Sequence, residues 1–427
     1  MTLDPDGFIG TLLAIEGIAD ARAVMNGPHG CRGHPAHFSD RHYPRDNSLN
    51  RRSFDEPFFF GQSRIPCTYL DSEDYIRGST EKLRVILPLV AAKGDTFLAI
   101  INSPGASIIG DDLNRFLQEA KLDHTCMAIG SAAYSRPLAT GFDETMVAIL
   151  QWLKLNRLPR PDSRVNLLGF SIIQKHWQGN IRELLHLLNL MGLVVVAVPG
   201  AGSSVAELRE SVTASFNIAV FPEYSQKTIE FYEKEFGIPA IISPDGAPIG
   251  FSATESFIHT VAEATGRDPA PALAEIRKQR THAYHLIARF YSENGYPKGT
   301  TFAVRGDSSF VLPLTMGLYE YLGMIPVAVE CIPGEDAHAT GRLRDFLMSR
   351  GLSAAYGANP ADVNPDYYFG DDQAGMDLVL SSRCNVSIGL FNRASTEPEF
   401  VQKAFLGGNG ALWILETIFH AVRRFPE

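Results

Sequence analysis

The stretch VNLLGFSIIQKHWQGNIRELLHLLNLMGLVVVAVPGAG, residues 165–202, decides the fold. It opens on the apolar run Val165–Leu168, which stops at Gly169. It closes on a second run, Leu193–Val198, which stops at Pro199-Gly200-Ala201-Gly202. Between the two, apolar residues recur at helical spacing from Gly179 to Met191. A strand, a helix and a second strand in this order predict a crossover unit, and crossover units build parallel sheets.

The same pattern repeats outward in both directions. Strands are predicted at Phe97–Ile101 before Asn102-Ser103-Pro104-Gly105, at Ala219–Phe221, and at Phe302–Val304 before Arg305-Gly306-Asp307. Further strands are predicted at Ile325–Val329 and Leu378–Leu380. Helices are predicted over Gln226–Phe236 and Ala270–Tyr291. Three α/β blocks follow. The first spans residues 1–160 and closes at the proline-containing stretch Arg157–Asp162. The second spans 161–295 and the third 296–427. The last two each open with a strand, a Gly-containing loop and a helix, and read as similar doubly wound units. Pro44–Pro57 is charged and polar and reads as a surface loop.

Composition bounds the partners. A chain of 427 residues with 45% hydrophobic and 20% charged residues is an ordinary globular protein of two or three domains. A net charge of −10 argues against nucleic acid held through phosphates. The start, Met1–Asp6, has no basic region, so no signal peptide is expected. No apolar run reaches the roughly 18 residues of a membrane span. The five cysteines, at 31, 67, 126, 331 and 384, do not form a disulfide framework and suit a reducing compartment. A cytoplasmic protein is expected.

Cys31 is the candidate for chemistry. It ends the turn Asn26-Gly27-Pro28-His29-Gly30-Cys31, where glycine and proline let a backbone approach something bulky. Such a thiolate suits an iron–sulfur cluster, although clusters usually take four thiolates and this chain offers no companion nearby. His29, His34, His37 and His42 crowd the same region, but their spacing is not that of a zinc site. Asp111 and Asp112 stand at a predicted helix start, where the dipole favours them. Gly200 and Gly202, and the loop Arg305–Ser309, are candidate anion cradles, with plain tight turns as the alternative. No GxxxxGK[ST] occurs, so P-loop ATP hydrolysis is not expected.

Together these motifs resemble the nitrogenase component 1 superfamily. The resemblance runs through Asp6-Gly7-Phe8-Ile9-Gly10, Gly17-Ile18, Gly27–Cys31, Arg41-His42-Tyr43, Asp71–Asp74 and Ile109-Gly110-Asp111-Asp112. More weakly, it extends to Gly237-Ile238-Pro239, Gly306-Asp307 and Gly407–Ala411. It implies three Rossmann-like domains, with mainly parallel sheets, packed around a central cleft. In this family a fully equipped subunit has cluster cysteines at the positions of Asp6, Cys31 and Pro104. Only Cys31 is a cysteine here. The pattern is similar to the β-type subunits of the cofactor-assembly scaffold and of the dark-operative protochlorophyllide and chlorophyllide reductases.

The resemblance therefore implies a 4Fe–4S cluster at a subunit interface, with Cys31 as one ligand. An α-type homologous subunit, or a second copy of this chain, would complete it. Asp6 is a candidate oxygen ligand, against a simple helix cap. Cys67 is a candidate ligand in a self-paired dimer. Electrons would come from an ATP-dependent iron protein and pass to a substrate in the cleft: a small molecule, a tetrapyrrole or a metallocluster. A non-catalytic scaffold for metallocluster assembly and a cluster-free structural subunit are the alternatives. The family's nitrogenase α subunit anchors its metal cofactor near the position of Phe221. No cysteine stands there.

Overall fold

The computed structural model describes residues 5–31, 65–130, 133–294, 297–334, 336–391 and 401–422. His34, His37, His42 and the stretch Pro44–Pro57 lie outside the described residues. Every ladder between strands is parallel, and the strands form three sheets. This is the α/β architecture that the crossover pattern predicts.

The first sheet has the order β1 (Ala21–Asn26), β2 (Phe97–Asn102) and β3 (Cys126–Ile129). Its helices are α1 (Gly7–Glu16), α2 (Asp74–Arg77), α3 (Thr80–Ala91), α4 (Ala106–Ile109), α5 (Leu113–Glu119) and α6 (Leu138–Trp152). Strands β1 and β2 are buried along their whole length, as strands covered on both faces should be. Helix α1 is buried throughout as well.

The second sheet runs β5 (Val194–Ala197), β4 (Arg164–Leu168), β6 (Phe216–Ala219), β7 (Ala240–Ile242). With it go α7 (Trp177–Leu190), α8 (Val205–Glu210), α9 (Gln226–Phe236), α10 (Gly250–Thr265) and α11 (Ala270–Asn294). The third sheet runs β9 (Ile325–Cys331), β8 (Thr301–Gly306), β10 (Tyr367–Asp371), β11 (Val386–Phe391). Its helices are α12 (Ser308–Leu322), α13 (Ala337–Ser349), α14 (Pro360–Val363), α15 (Asp372–Leu380) and α16 (Gly407–Val422). Both sheets place their second strand outside the first and their third strand on its other side. The chain direction therefore reverses at β4/β6 and at β8/β10, and ligands gather at such switch points, beyond the carboxyl ends of the strands.

Two strand positions differ from the sequence-based expectation. The run 219–221 starts on the last residue of β6, which occupies Phe216–Ala219, and its other two residues lie past the strand. Asn217 interrupts the apolar pattern there. It is tolerated in the core because Asn166 Nδ2 on β4 donates to its Oδ1 at 2.9 Å. Residues 378–380 form the last turn of α15, not a strand. Three apolar residues do not separate a strand from a buried helix end. Asp371 fixes the helix by accepting from Ala374 N at 3.0 Å, and the strand is the preceding β10.

Pro313 inside α12 cannot donate to the Ser309 carbonyl. Ala247 N takes that role at 2.8 Å, which ties the loop after β7 to α12. No helix among the described residues is long and apolar enough to cross a membrane.

Candidate functional site

Strand β1 ends at Asn26, whose side chain organises the turn beyond it. Its Nδ2 donates to Asn102 Oδ1 on β2 and to Ser79 Oγ, each at 2.9 Å. Thr68 Oγ1 donates to Asn26 Oδ1 and accepts from Gly27 N, also at 2.9 Å. A Cβ on Gly27 would stand 2.5 Å from Ser103 Oγ, so this position requires glycine. The acidic pair serves the same scaffold. Asp111 Oδ2 accepts from Ser79 N and Ser79 Oγ at 2.6 Å, while Asp112 caps α5 through Arg115 N at 3.0 Å.

The turn then opens outward. Gly30 is exposed, and a Cβ added there would meet nothing within 4 Å. Cys31 is half-buried. His29 stacks on Tyr69 at 5.6 Å between ring centres. Cys67 lies beneath the turn, 2% exposed. Its thiol donates to the Gly27 carbonyl at 3.0 Å and accepts from Tyr69 N at 3.4 Å. Asp6 caps α1, its Oδ1 accepting from Phe8 N at 3.1 Å and Ile9 N at 3.4 Å.

Tyr134 ties back to the first sheet. Its hydroxyl donates to the Asn102 carbonyl at the end of β2, two residues before Pro104. Its pKa is pushed up, first by burial and then by the charges of Cys31 and Asp6. The Tyr134 hydroxyl thus sits at the carboxyl end of the first sheet, from which the chain leads directly into Pro104. Tyr134 is not among the residues expected from sequence, because no spacing links it to the cysteine turn. Among the described residues, no group of three or more His, Cys, Asp or Glu side chains converges as a metal cage.

The glycine-rich loops serve packing. Gly200 and Gly202 have φ of +83° and +93°. Gly202 N donates to the Gly17 carbonyl at 2.7 Å, and a Cβ on Gly17 would meet the Gly200 carbonyl at 1.9 Å. The pair thus locks the end of α1 onto the second sheet. At Gly306–Ser309 the N-terminus of α12 receives an anion from the chain itself. Glu223, past the end of β6, accepts from Ser308 Oγ at 2.5 Å, Ser309 N at 2.7 Å and Ser309 Oγ at 2.8 Å. Burial pushes its pKa up, and these donors pull the other way. A second buried contact joins the same two sheets: Lys175 Nζ lies 3.4 Å from both Asp372 carboxylate oxygens, with the side chains 6% and 4% exposed. Glu223 had a readable signal, a lone acid in the run Ala219–Tyr224.

The three units meet around a chamber of about 370 Å³. Asp6 and Pro137 come from the first unit, Ile173 and Tyr224 from the second, and Asp307 and Ile332 from the third. Asp6 thus caps α1 and lines the chamber. The other cysteines are placed for packing. Burial pushes the Cys126 thiol up to about 12 and the Cys384 thiol up to about 11. Cys331 is half-buried at the end of β9.

A family model described as nitrogenase component 1 type oxidoreductase matches residues 7–364. Similar proteins include the light-independent protochlorophyllide reductase B-subunit of Rhodospirillum rubrum, 30% identical over 343 residues. That match covers 76% of this chain and 60% of the relative. The corresponding B-subunit of Halorhodospira halophila is 24% identical over 67% of this chain and 53% of its own length. The chain therefore spans under two thirds of these two relatives. The nitrogenase molybdenum-iron protein beta chain of Acidithiobacillus ferridurans is 26% identical over 91% of this chain and 74% of its own. A solved structure of nitrogenase Cp1 at pH 6.5 matches with a TM-score of 0.77 at 16% identity, covering 99% of this chain and 93% of that chain. That likeness establishes the fold.

Proposed function

The chain belongs to the nitrogenase component 1 type oxidoreductases, and from that premise we propose that it is the β-type subunit of a nitrogenase-like reductase. Cys31 contributes one ligand to a 4Fe–4S cluster shared with an α-type subunit, and the three-unit chamber receives the substrate. An ATP-dependent iron protein is the electron donor.

One observation carries this reading. The half-buried Cys31 sits on an open turn beyond the carboxyl end of β1, and Asp6, at the position of another family cluster cysteine, lines the chamber. The surroundings support an interface. Tyr69, on which His29 stacks, is 45% exposed, and Tyr75, Ile76 and Ile108 on the mutually packed helices α2 and α4 are 37%, 86% and 85% exposed. An apolar surface of this kind marks a place for another protein.

The donor set fits a shared cluster rather than a private one. Cys67 is buried and hydrogen-bonded, and Asp6 is engaged as a helix cap, so Cys31 is the thiol best placed to reach across. This favours an α-type partner over self-pairing through Cys67. When bound, such a cluster supplies one-electron transfer at low potential. The residues of this chain hold the turn rigid through Asn26 and Thr68, and they keep the chamber wall apolar around Ile173 and Ile332. A cytoplasmic setting is consistent with five cysteines that form no disulfide with one another.

Anaerobic co-purification with the neighbouring α-type polypeptide tests the reading. Stoichiometric iron and sulfide are expected, with loss of both in Cys31→Ala. A complex of unaltered chains that contains no iron would leave the structural-subunit alternative instead.

A further inference from the structure

A pocket of about 270 Å³ lies along the seam where α10 of the second unit meets α12 and α16 of the third. Its walls are apolar. Ile249 and Phe251 come from the start of α10, Leu314 and Leu318 from α12, and Ile414 and Leu415 from α16, and all six are buried. The seam is pinned beside the pocket. Ala247 N donates to the Ser309 carbonyl at 2.8 Å, and Pro313, one turn further along α12, lines the pocket wall.

Two glycines line the space, and a Cβ at either would meet nothing within 4 Å. The backbone at Gly250, with φ of +76°, favours glycine. Gly317 lies inside α12, where glycine is a weaker helix former than alanine. Alanine there would clash with nothing, so this glycine leaves pocket volume unfilled. Cavities of about 150 Å³ lined by Leu, Ile and Phe stay dry and accept benzene. On that scale this pocket has room for roughly ten carbon atoms.

The polar side chains that line it are already matched or out of reach. Asp245 pairs with Arg342 at 2.5 Å, Glu320 with Arg350 at 3.1 Å, and Ser252 Oγ accepts from Arg280 at 3.1 Å. The Tyr321 hydroxyl is buried beyond a ligand's reach. A charged ligand would lose its water here without gaining a partner, whereas an uncharged apolar one is drawn in by leaving water.

We propose that this pocket binds an uncharged, hydrocarbon-like ligand of about ten carbons, the size of two fused rings. The apolar walls supply the affinity, and the space left by Gly317 admits the far end of the ligand. The site stands independently of the role assigned to Cys31.

Equilibrium dialysis of the full chain against naphthalene tests it, with naphthoate and naphthylmethylammonium as charged analogues of both signs. One saturable naphthalene site is expected, and each charged analogue should bind at least tenfold more weakly. Affinity for naphthalene should fall at least tenfold in Gly317→Met, which fills the pocket with a flexible side chain, and at least twofold in Gly317→Ala. Circular dichroism melts establish that the variants are folded. If Gly317→Met fails to fold, Gly317→Ala and the charged analogues carry the test. No saturable naphthalene binding, unchanged affinity in the folded variants, or equal binding of either charged analogue would overturn the proposal.

Discussion

The carboxyl end of the first sheet is open, whereas the same ends of the second and third sheets are stitched shut. At the first, a buried asparagine pair supports a turn that carries the half-buried Cys31, and Ile76 and Ile108 of the same unit are exposed. At the other two, Glu223 closes the N-terminus of α12 and Lys175 meets Asp372 across the sheets. Strand ends of parallel sheets are where ligands bind. On the function proposed above, this chain leaves one such end open to an outside partner and fills the other two with its own charges around the chamber.

The largest effect should come from breaking a stitch. Lys175→Met leaves Asp372 buried without its cation, and unfolding free energy should drop by about 3–5 kcal/mol, measured by denaturant titration. A loss under about 1 kcal/mol would mean that this end is not closed by the pair.

Next is the lock between α1 and the second sheet. Gly17→Ala drives a methyl into the Gly200 carbonyl, and a loss of about 1–3 kcal/mol is expected. Gly30→Ala, on the open turn, meets nothing. It should cost less than about 0.5 kcal/mol. Equal effects at the two glycines would erase the contrast.

Glu223→Gln should be milder, within about 1 kcal/mol of the parent at neutral pH, because the amide oxygen can still accept from Ser308 and Ser309. Its pH dependence carries the information. The folded pKa of Glu223 lies above the ordinary 4.5. The folded state therefore binds more protons than the unfolded state between the two values, and this residue's contribution falls as pH rises through that window. The gap between Gln variant and parent should move in favour of Gln as pH is raised from 4.5 upward. Melting temperatures across that range report it, and a gap moving the opposite way would mean that the donors outweigh burial.

Smallest of all should be the effect of Cys31→Ala on the stability of the isolated chain, under about 0.5 kcal/mol.

Much of this contrast is legible in the sequence, and the limits have physical causes. Short apolar runs locate β2, β4, β5, β8 and β9, because parallel strands covered by helices carry few polar residues to blur them. Strand β6 is displaced from its expected place because Asn217 replaces an apolar residue inside it, and only its partner Asn166 makes that tolerable. The 378–380 run misleads because its helix is set by the Asp371 cap upstream. The Cys31 turn is readable from its small residues. Tyr134 meets the end of β2 only through the fold, and the closure of α12 by Glu223 depends on two sheets meeting, which no local pattern encodes.

The central claim is that one thiol of this chain, and not its buried neighbour, serves an interfacial cluster. The direct measurement is iron and sulfide content of the anaerobically purified two-subunit complex carrying either Cys31→Ala or Cys67→Ala. The account predicts that iron is lost with Cys31→Ala and kept with Cys67→Ala. Full iron in the Cys31→Ala complex would contradict it.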